Sequence, residues 1–264
     1  MKLLAFDTGT ETMSVAVCRP DRGTVRVWQH QAAGGANASM ALIPVILDLL
    51  RQAELDLRSL DAICFGSGPG SFTGLRTACA VAQGLAFGAD VPVLPINSLL
   101  AVAEDARFSH LAPALALQIT ALLDARMDEI YTATFAYRDQ RWQTLQDATL
   151  LRPEAINPPR PSDGLQAVLA GNVFASYGAR LVSPAVTSPA MLGVQRLEAA
   201  PTATAMLRLA PQLLAEGAAV AAHQAMPTYI RDKVAQTSAE RAAAKAAQAS
   251  ANAAMGAATS GEPV

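Results

Sequence analysis

Asp7-Thr8-Gly9-Thr10 closes an apolar run, is followed by Ser14, and carries the residue types that handle phosphate. In one reading Asp7 holds a metal-bound water while Gly9 and the threonine hydroxyls approach a phosphate. In the other, Asp7 accepts N–H bonds inside its own turn and Gly9 supplies a positive φ. So short a motif favours this second reading. The string Gly66-Ser67-Gly68-Pro69-Gly70-Ser71-Phe72-Thr73-Gly74-Leu75-Arg76 is richer. Its four glycines and one proline dictate unusual dihedrals, with side chains cleared from one face. Ser71 or Thr73 is placed to cap the helix that follows, which leaves free N–H groups pointing out of the loop. A phosphate or another protein's backbone suits that geometry, so Gly70 and Ser71 join Asp7, Thr8, Gly9 and Thr10 as candidate phosphate contacts. The loop has neither the lysine of a P-loop nor dinucleotide-fingerprint spacing, which favours a structural or interface role. Arg76 lies just inside the helix, where it points at an anion or pairs with a carboxylate.

Other chemistries find less support. His30, His110 and His223 stand far apart, with no His-x3-His or His-x-Glu spacing, so no metal ligands are assigned. No Gly-x-Ser-x-Gly nucleophile motif occurs in the glycine-rich string. Asp124, Arg126, Asp128 and Glu129 have the types of an acid–base set, but charges at a turn are far more often a solvated edge. No catalytic residue is assigned. Cys18, Cys64 and Cys79 sit in apolar contexts without zinc spacing and read as reduced core thiols of a cytoplasmic protein.

Composition bounds the rest. The chain has 264 residues, 52% of them hydrophobic and 16% charged, which marks a globular protein with room for one large core or two smaller ones. Net charge is -2 with no Lys/Arg run, which argues against a tight, autonomous grip on nucleic acid; any RNA contact is expected to be shared with a partner. Neither the short apolar start nor segment 112–123, interrupted by Pro113 and Gln118, has the length of a signal core or membrane span, so no membrane partner is expected.

The elements that position these residues follow from periodicity. An apolar strand over 2–7, alternating strands over 13–18 and 24–30, and a turn at Asp21-Arg22-Gly23 predict an antiparallel three-strand meander. A helix over 39–54, a strand over 61–66, the glycine loop, a helix to Gly88 and a short strand over 91–94 follow. The pattern then repeats: strands over 114–123, 129–137 and 141–150, a strand over 167–170 ending in Gly171-Asn172, and a helix over 202–216. Two copies of meander-then-helix predict an α/β fold of two like lobes with mixed sheets, residues 1–108 and 109–234, and a boundary near 98–112. Residues 235–264 are alanine-rich, lack an apolar stripe and are expected to lie outside the fold as frayed helix or disordered chain.

Two helices have more apolar width than one core contact needs. The first has Leu42, Ile46, Leu49 and Ala53 on one face and Ile43, Leu47 and Leu50 on a neighbouring one. The second is built from Ala78, Cys79, Ala80, Ala82, Gly84 and Ala86, which permit close backbone approach. A subunit interface and a buried cover layer fit this pattern equally well.

Several stretches taken together resemble the bacterial TsaB family. They are the segment from Leu4 to Val17, the string Gly66–Arg76 with Ala82-Gln83-Gly84-Leu85-Ala86, Asp124-Ala125-Arg126-Met127-Asp128-Glu129-Ile130-Tyr131, and Pro227-Thr228-Tyr229-Ile230-Arg231. The likeness runs from residue 1 to about 234, and Gly-Pro-Gly-Ser-Phe-Thr-Gly-Leu-Arg is its most specific string. The resemblance implies a duplicated two-lobe actin/Hsp70-like (ASKHA) fold among the inactive relatives of glycoprotease-type enzymes. It implies a non-catalytic scaffold that binds the catalytic paralogue TsaD, with the ATPase TsaE. The assembly installs threonylcarbamoyl on the adenosine beside the anticodon of tRNAs reading codons that begin with A. No firmly bound cofactor is implied; ATP or ADP with Mg would sit at the interface of the assembled complex, and tRNA would be met through it. Some members keep a His early in the first helix, where this chain has Asn37-Ala38-Ser39.

The resemblance also implies a four-helix bundle with the partner. It puts Leu42, Ile43, Ile46, Leu47 and Leu50 of the first helix at the interface. From the second come Phe72, Leu75, Arg76, Cys79, Ala82, Gln83 and Ala86. Without a partner the same surface would form a homodimer. A stand-alone ASKHA-type ATPase or phosphotransferase using Asp7, Thr8, Gly9 and Asp124 is the alternative; a metalloprotease lacks its ligands.

Overall fold

The structure is a computed structural model that describes residues 1–112, 116–156, 165–181 and 194–231. The alanine-rich tail and the side chain of Asn37 lie outside the described residues. Strands β1 (Leu3–Asp7), β2 (Thr12–Asp21) and β3 (Thr24–Ala33) form the first meander, closed by the positive-φ pair Arg22-Gly23. Helix α1 (Ala36–Gln52), β4 (Ala62–Gly68), α2 (Phe72–Ala89) and β5 (Val93–Asn97) complete the first sheet, in the order β3-β2-β1-β4-β5. β1 runs antiparallel to β2 and parallel to β4, so the sheet is mixed.

The second sheet repeats the first. Strands β6 (Leu117–Arg126), β7 (Glu129–Arg138) and β8 (Arg141–Leu151) make its meander, followed by β9 (Gln166–Gly171) and β10 (Gln195–Glu198). Its order, β8-β7-β6-β9-β10, reproduces that of the first sheet strand for strand, with β6 parallel to β9 as β1 is to β4. This is the architecture of two like lobes with mixed sheets expected from the duplicated pattern.

Hydrophobic burial assigns each helix a layer. Helices α1 and α2 cover one side of the first sheet, where Leu42, Ile46, Leu49 and Leu50 meet Leu4, Phe6, Val15 and Phe65. Helices α3 (Ser98–His110) and α5 (Ala203–Ala215) lie in a larger cluster that joins both sheets, from Leu3, Ala5 and Leu94 to Ile119, Ala121 and Val168. A third cluster, Leu122, Ile130, Leu169 and Val173 with Leu181, covers the other side of the second sheet next to the one-turn helix α4 (Phe174–Tyr177). Residues Met1–Ile230 form one compact unit.

The segment 98–112, where the boundary between the lobes is expected, is mostly helical. It is α3, capped by Asn97, whose side-chain oxygen accepts from the N–H groups of Leu99 and Leu100. Leu99, Ala101, Val102, Ala103 and Ala106 are all buried, so the helix is apolar on most sides and shows no amphipathic stripe in the sequence. It also buries Glu104. Arg107 donates twice to this carboxylate at 2.8 Å, Arg208 once at 2.8 Å, and the Trp142 indole at 3.0 Å, which ties α3, α5 and β8 together.

Candidate functional site

The two sequence motifs at the end of β1 and after β4 are one interlocked structure. Ser71 N–H donates to the Gly9 carbonyl at 2.7 Å, and the Thr8 hydroxyl donates to the Gly74 carbonyl at 2.7 Å. A Cβ on Gly74 would sit 1.9 Å from the Thr8 carbonyl oxygen, and one on Gly66 would sit 1.7 Å from an Asp7 carboxylate oxygen. These glycines let two backbones and a carboxylate close on each other. Ser71 caps α2 by accepting from the Gly74 N–H at 3.2 Å.

This geometry corrects part of the phosphate reading. Asp7 and Thr8 are buried, and Asp7 accepts from its own turn at Gly9 N–H (2.7 Å) and from the Ser98 hydroxyl (3.2 Å). Burial lifts its carboxyl to about 6, only partly offset by those two bonds. A carboxylate locked this way is not offered to a metal-bound water. Gly9, Thr10, Gly70 and Ser71 do line a cleft of about 460 Å³ between the lobes, facing Asp124, Arg126 and Asn172. An adjoining space of about 440 Å³ shares Thr10 and Asn172 and runs on to Thr202 at the start of α5. The carboxylates of Glu11 and Asp124 also line this cleft, and among the described residues no group of three or more His, Cys, Asp or Glu is placed to hold a metal ion.

Across the cleft, Asp124 accepts from the Arg126 N–H (2.8 Å) and the Tyr177 hydroxyl (3.1 Å), and the Asn172 side chain accepts from the Asp124 N–H (3.0 Å). Arg126 pairs with Asp124 and reaches over the cleft to Glu11, while Asp128 is paired with Arg180. The second-lobe charges thus compensate one another at a solvated edge. His30, His110 and His223 fall on β3, on the end of α3 and in a short turn near the C-terminus, respectively. Burial pushes the thiols of Cys18, Cys64 and Cys79 upward, which keeps all three protonated and unreactive.

The proposed contact helices need a second correction. Leu42, Ile46 and Leu50 of α1, and Leu75, Cys79, Ala82 and Ala86 of α2, are buried in the chain's own core. Their small or aliphatic side chains hold the helices on the first sheet instead of facing outward. What α1 presents to solvent is Met40 (75% exposed), Ile43 (42%) and Leu47 (50%), spaced as one stripe. From α2, Phe72, Arg76 and Phe87 are exposed and Gln83 is half-buried. Met40 and Phe87 lie inside the two predicted helices but belong to neither apolar set named for them from the sequence. A count of apolar residues on the non-core face would have included both.

Among the described residues, no carboxylate pairs with Arg76. Its guanidinium lies 3.8 Å from the Phe72 ring centroid, and its Nε donates to the Tyr229 hydroxyl at 3.0 Å. Tyr229 is held there by a C-terminal strap over 218–230. Ala225 carbonyl accepts from the Gln83 side chain (2.8 Å) and the Cys79 thiol (3.4 Å), and Thr228 N–H donates to the Ser67 carbonyl (2.7 Å). The Pro227–Arg231 motif is therefore tied to the glycine string through space.

Comparison with known proteins places this geometry in context. Residues 29–239 match the family described as "TsaD: tRNA N6-adenosine threonylcarbamoyltransferase". The chain is similar to the "tRNA threonylcarbamoyladenosine biosynthesis protein TsaB" of Escherichia coli, 32% identical over 89% of this chain and 96% of that one. It is likewise 32% identical to the protein of the same description from Haemophilus influenzae, over 89% of this chain and 95% of that one. Among solved structures, "YeaZ from Pseudomonas aeruginosa" superposes with a TM-score of 0.72 at 34% identity, covering 86% of this chain and 99% of the other.

Proposed function

The chain belongs to the TsaB family, and from that premise we propose that it is a non-catalytic scaffold in tRNA threonylcarbamoyladenosine biosynthesis. It binds the catalytic paralogue TsaD, together with the ATPase TsaE, and so serves modification of the adenosine beside the anticodon. The observation that carries this reading is the outward stripe Met40–Ile43–Leu47 on α1 beside α2. A soluble chain keeps such a stripe uncovered at a cost in solubility, which a partner helix pair removes. The inward lock on Asp7 supports the absence of a catalytic centre here: the residue that a phosphotransferase of this fold would use is spent on its own turn. ATP or ADP with Mg, where the assembly holds them, contacts this chain through the cleft lined by Gly9, Thr10, Gly70 and Ser71. The complex works in the cytoplasm; among the described residues no helix is long and apolar enough to cross a membrane.

Leu47→Glu tests the reading. Leu47 is half exposed, so the variant is expected to melt within about 1 kcal/mol of the parent yet lose co-purification with TsaD. Retained co-purification by a folded Leu47→Glu, or ATP turnover by the purified chain alone, would remove the scaffold assignment.

A further inference from the structure

Phe72, Arg76 and Tyr229 form a cluster that the α1–α2 stripe does not include. The Phe72 and Tyr229 ring centroids are 5.4 Å apart at 36°, and the Arg76 guanidinium is 3.8 Å from one and 6.0 Å from the other. Phe72 is 36% exposed and Tyr229 45%; Met226, three residues before Tyr229 on the strap, is 66% exposed. Arg76 uses Nε on Tyr229, which leaves its terminal amino groups for an outside acceptor; among the described residues no carboxylate pairs with it. Neither α2 nor the strap over 218–230 contains a single Asp or Glu, while they carry Arg76 and His223. On a chain of net charge -2 this places one arginine, with no acidic residue on its own two elements, beside two partly exposed rings. It also stands apart from the exposed end of α2: fifteen helical residues separate Phe72 from Phe87, roughly 22 Å.

We propose that Phe72, Arg76 and Tyr229 are a stacking platform for unpaired bases of an RNA loop, with Arg76 meeting the adjacent phosphate. Aromatic and guanidinium planes accept any base face, and a single arginine neutralises one backbone charge, so the contact is weak and sequence-tolerant. This rests on the reading that the chain serves tRNA modification, and it supplies a direct RNA contact where that reading has RNA met through the complex. A protein counterface is the less favoured occupant because the cluster offers an arginine with no carboxylate partner among the described residues and two rings, not a continuous apolar strip.

The test uses the full chain and a fluorescein-labelled RNA hairpin with an unpaired loop, read by anisotropy at low salt. A fully paired duplex of the same length is the control. Wild type is expected to bind the hairpin and to prefer it over the duplex. Phe72→Ala and Tyr229→Ala should each weaken binding about tenfold. Arg76→Gln should weaken it and lower the salt slope by about 0.7. Tyr229→Phe, which keeps the ring and the strap, should stay near wild type, and thermal melts establish that each variant is folded. No hairpin binding by wild type, equal binding of the duplex, or unchanged affinity in the three weakening variants overturns the platform. If those variants lose TsaD but keep RNA affinity, the cluster is a protein contact: the platform falls and the scaffold reading stands. If instead wild type fails to co-purify with TsaD while the RNA series behaves as expected, the scaffold reading falls and the platform stands.

Discussion

Asp7 illustrates how one buried side chain turns a motif into architecture. Its carboxyl sits at about 6 against an ordinary 3.8, because burial penalises the charged form more than Gly9 and Ser98 stabilise it. A folded-state value raised above the unfolded one means stability is fullest below pH 4 and declines as pH climbs through about 6. The loss above that point is about 3 kcal/mol from this group. Asp7→Asn removes the ionisation and keeps an acceptor for Gly9 N–H. The variant is expected to be at least as stable as the parent at neutral pH, and its melting temperature should lack the parent's decline between pH 4 and 6. Identical pH profiles for the two proteins would show that Asp7 is not the titrating group. Glu104 is a buried acid whose two oxygens accept from Arg107, Arg208 and the Trp142 indole. Glu104→Ala strands Arg107 and Arg208 beside an apolar gap and should cost about 3–5 kcal/mol in a denaturant titration, whereas Trp142→Phe, which removes one donor, should cost about 1 kcal/mol.

At the scale of the element, α2 separates one glycine that is required, Gly74, from two that are not, Gly84 and Gly88. Gly74 faces the Thr8 carbonyl with no room for a Cβ, and the obstacle is backbone, which cannot swing aside. Gly74→Ala should therefore undo the contact between β1 and α2 and lose several kcal/mol, more than the roughly 1 kcal/mol expected for removing the Ser71 cap. Gly84 meets nothing within 4 Å on the outer face of the same helix. Gly84→Ala should raise stability by about 0.5–1 kcal/mol through helix propensity alone. Equal effects from the two substitutions in thermal melts would refute the interlock. The sequence made α1, α2 and both meanders legible because each alternates or repeats with a clear period. Helix α3 stayed hidden because a helix buried on most sides has no polar face to set a period. β10 stayed hidden because, among its four residues, only Leu197 is buried.

For the molecule as a whole, the duplication was readable from the recurrence of an apolar strand ending in aspartate, at Asp7 and again at Asp124. The division of labour between those aspartates was not. Asp7 is sealed by Gly66 and Ser98, while Asp124 looks onto the cleft, and only the three-dimensional neighbours distinguish them. The same holds for the contact helices: periodicity separated the Leu42–Ile46–Leu49 face of α1 from Ile43 and Leu47, whereas the contact set implied by the resemblance mixes buried residues with exposed ones. Sheet cover claims Leu42, Ile46, Leu50 and Ala82, so a charge at any of these tests folding, not association. The uncovered residues set the behaviour of the free chain. Met40, Ile43 and Leu47 together with Phe87 leave apolar surface exposed on two adjacent helices, and net charge is only -2, too small to keep copies apart. In the absence of a partner the purified chain is expected to self-associate through this face, giving a concentration-dependent dimer by light scattering. Leu47→Glu should shift it to monomer at the same concentration, whereas Phe72→Ala, lying at the far end of α2, should leave the dimer intact. A chain that remains monomeric at high concentration, or a dimer indifferent to Leu47→Glu, would place the exposed stripe outside any interface.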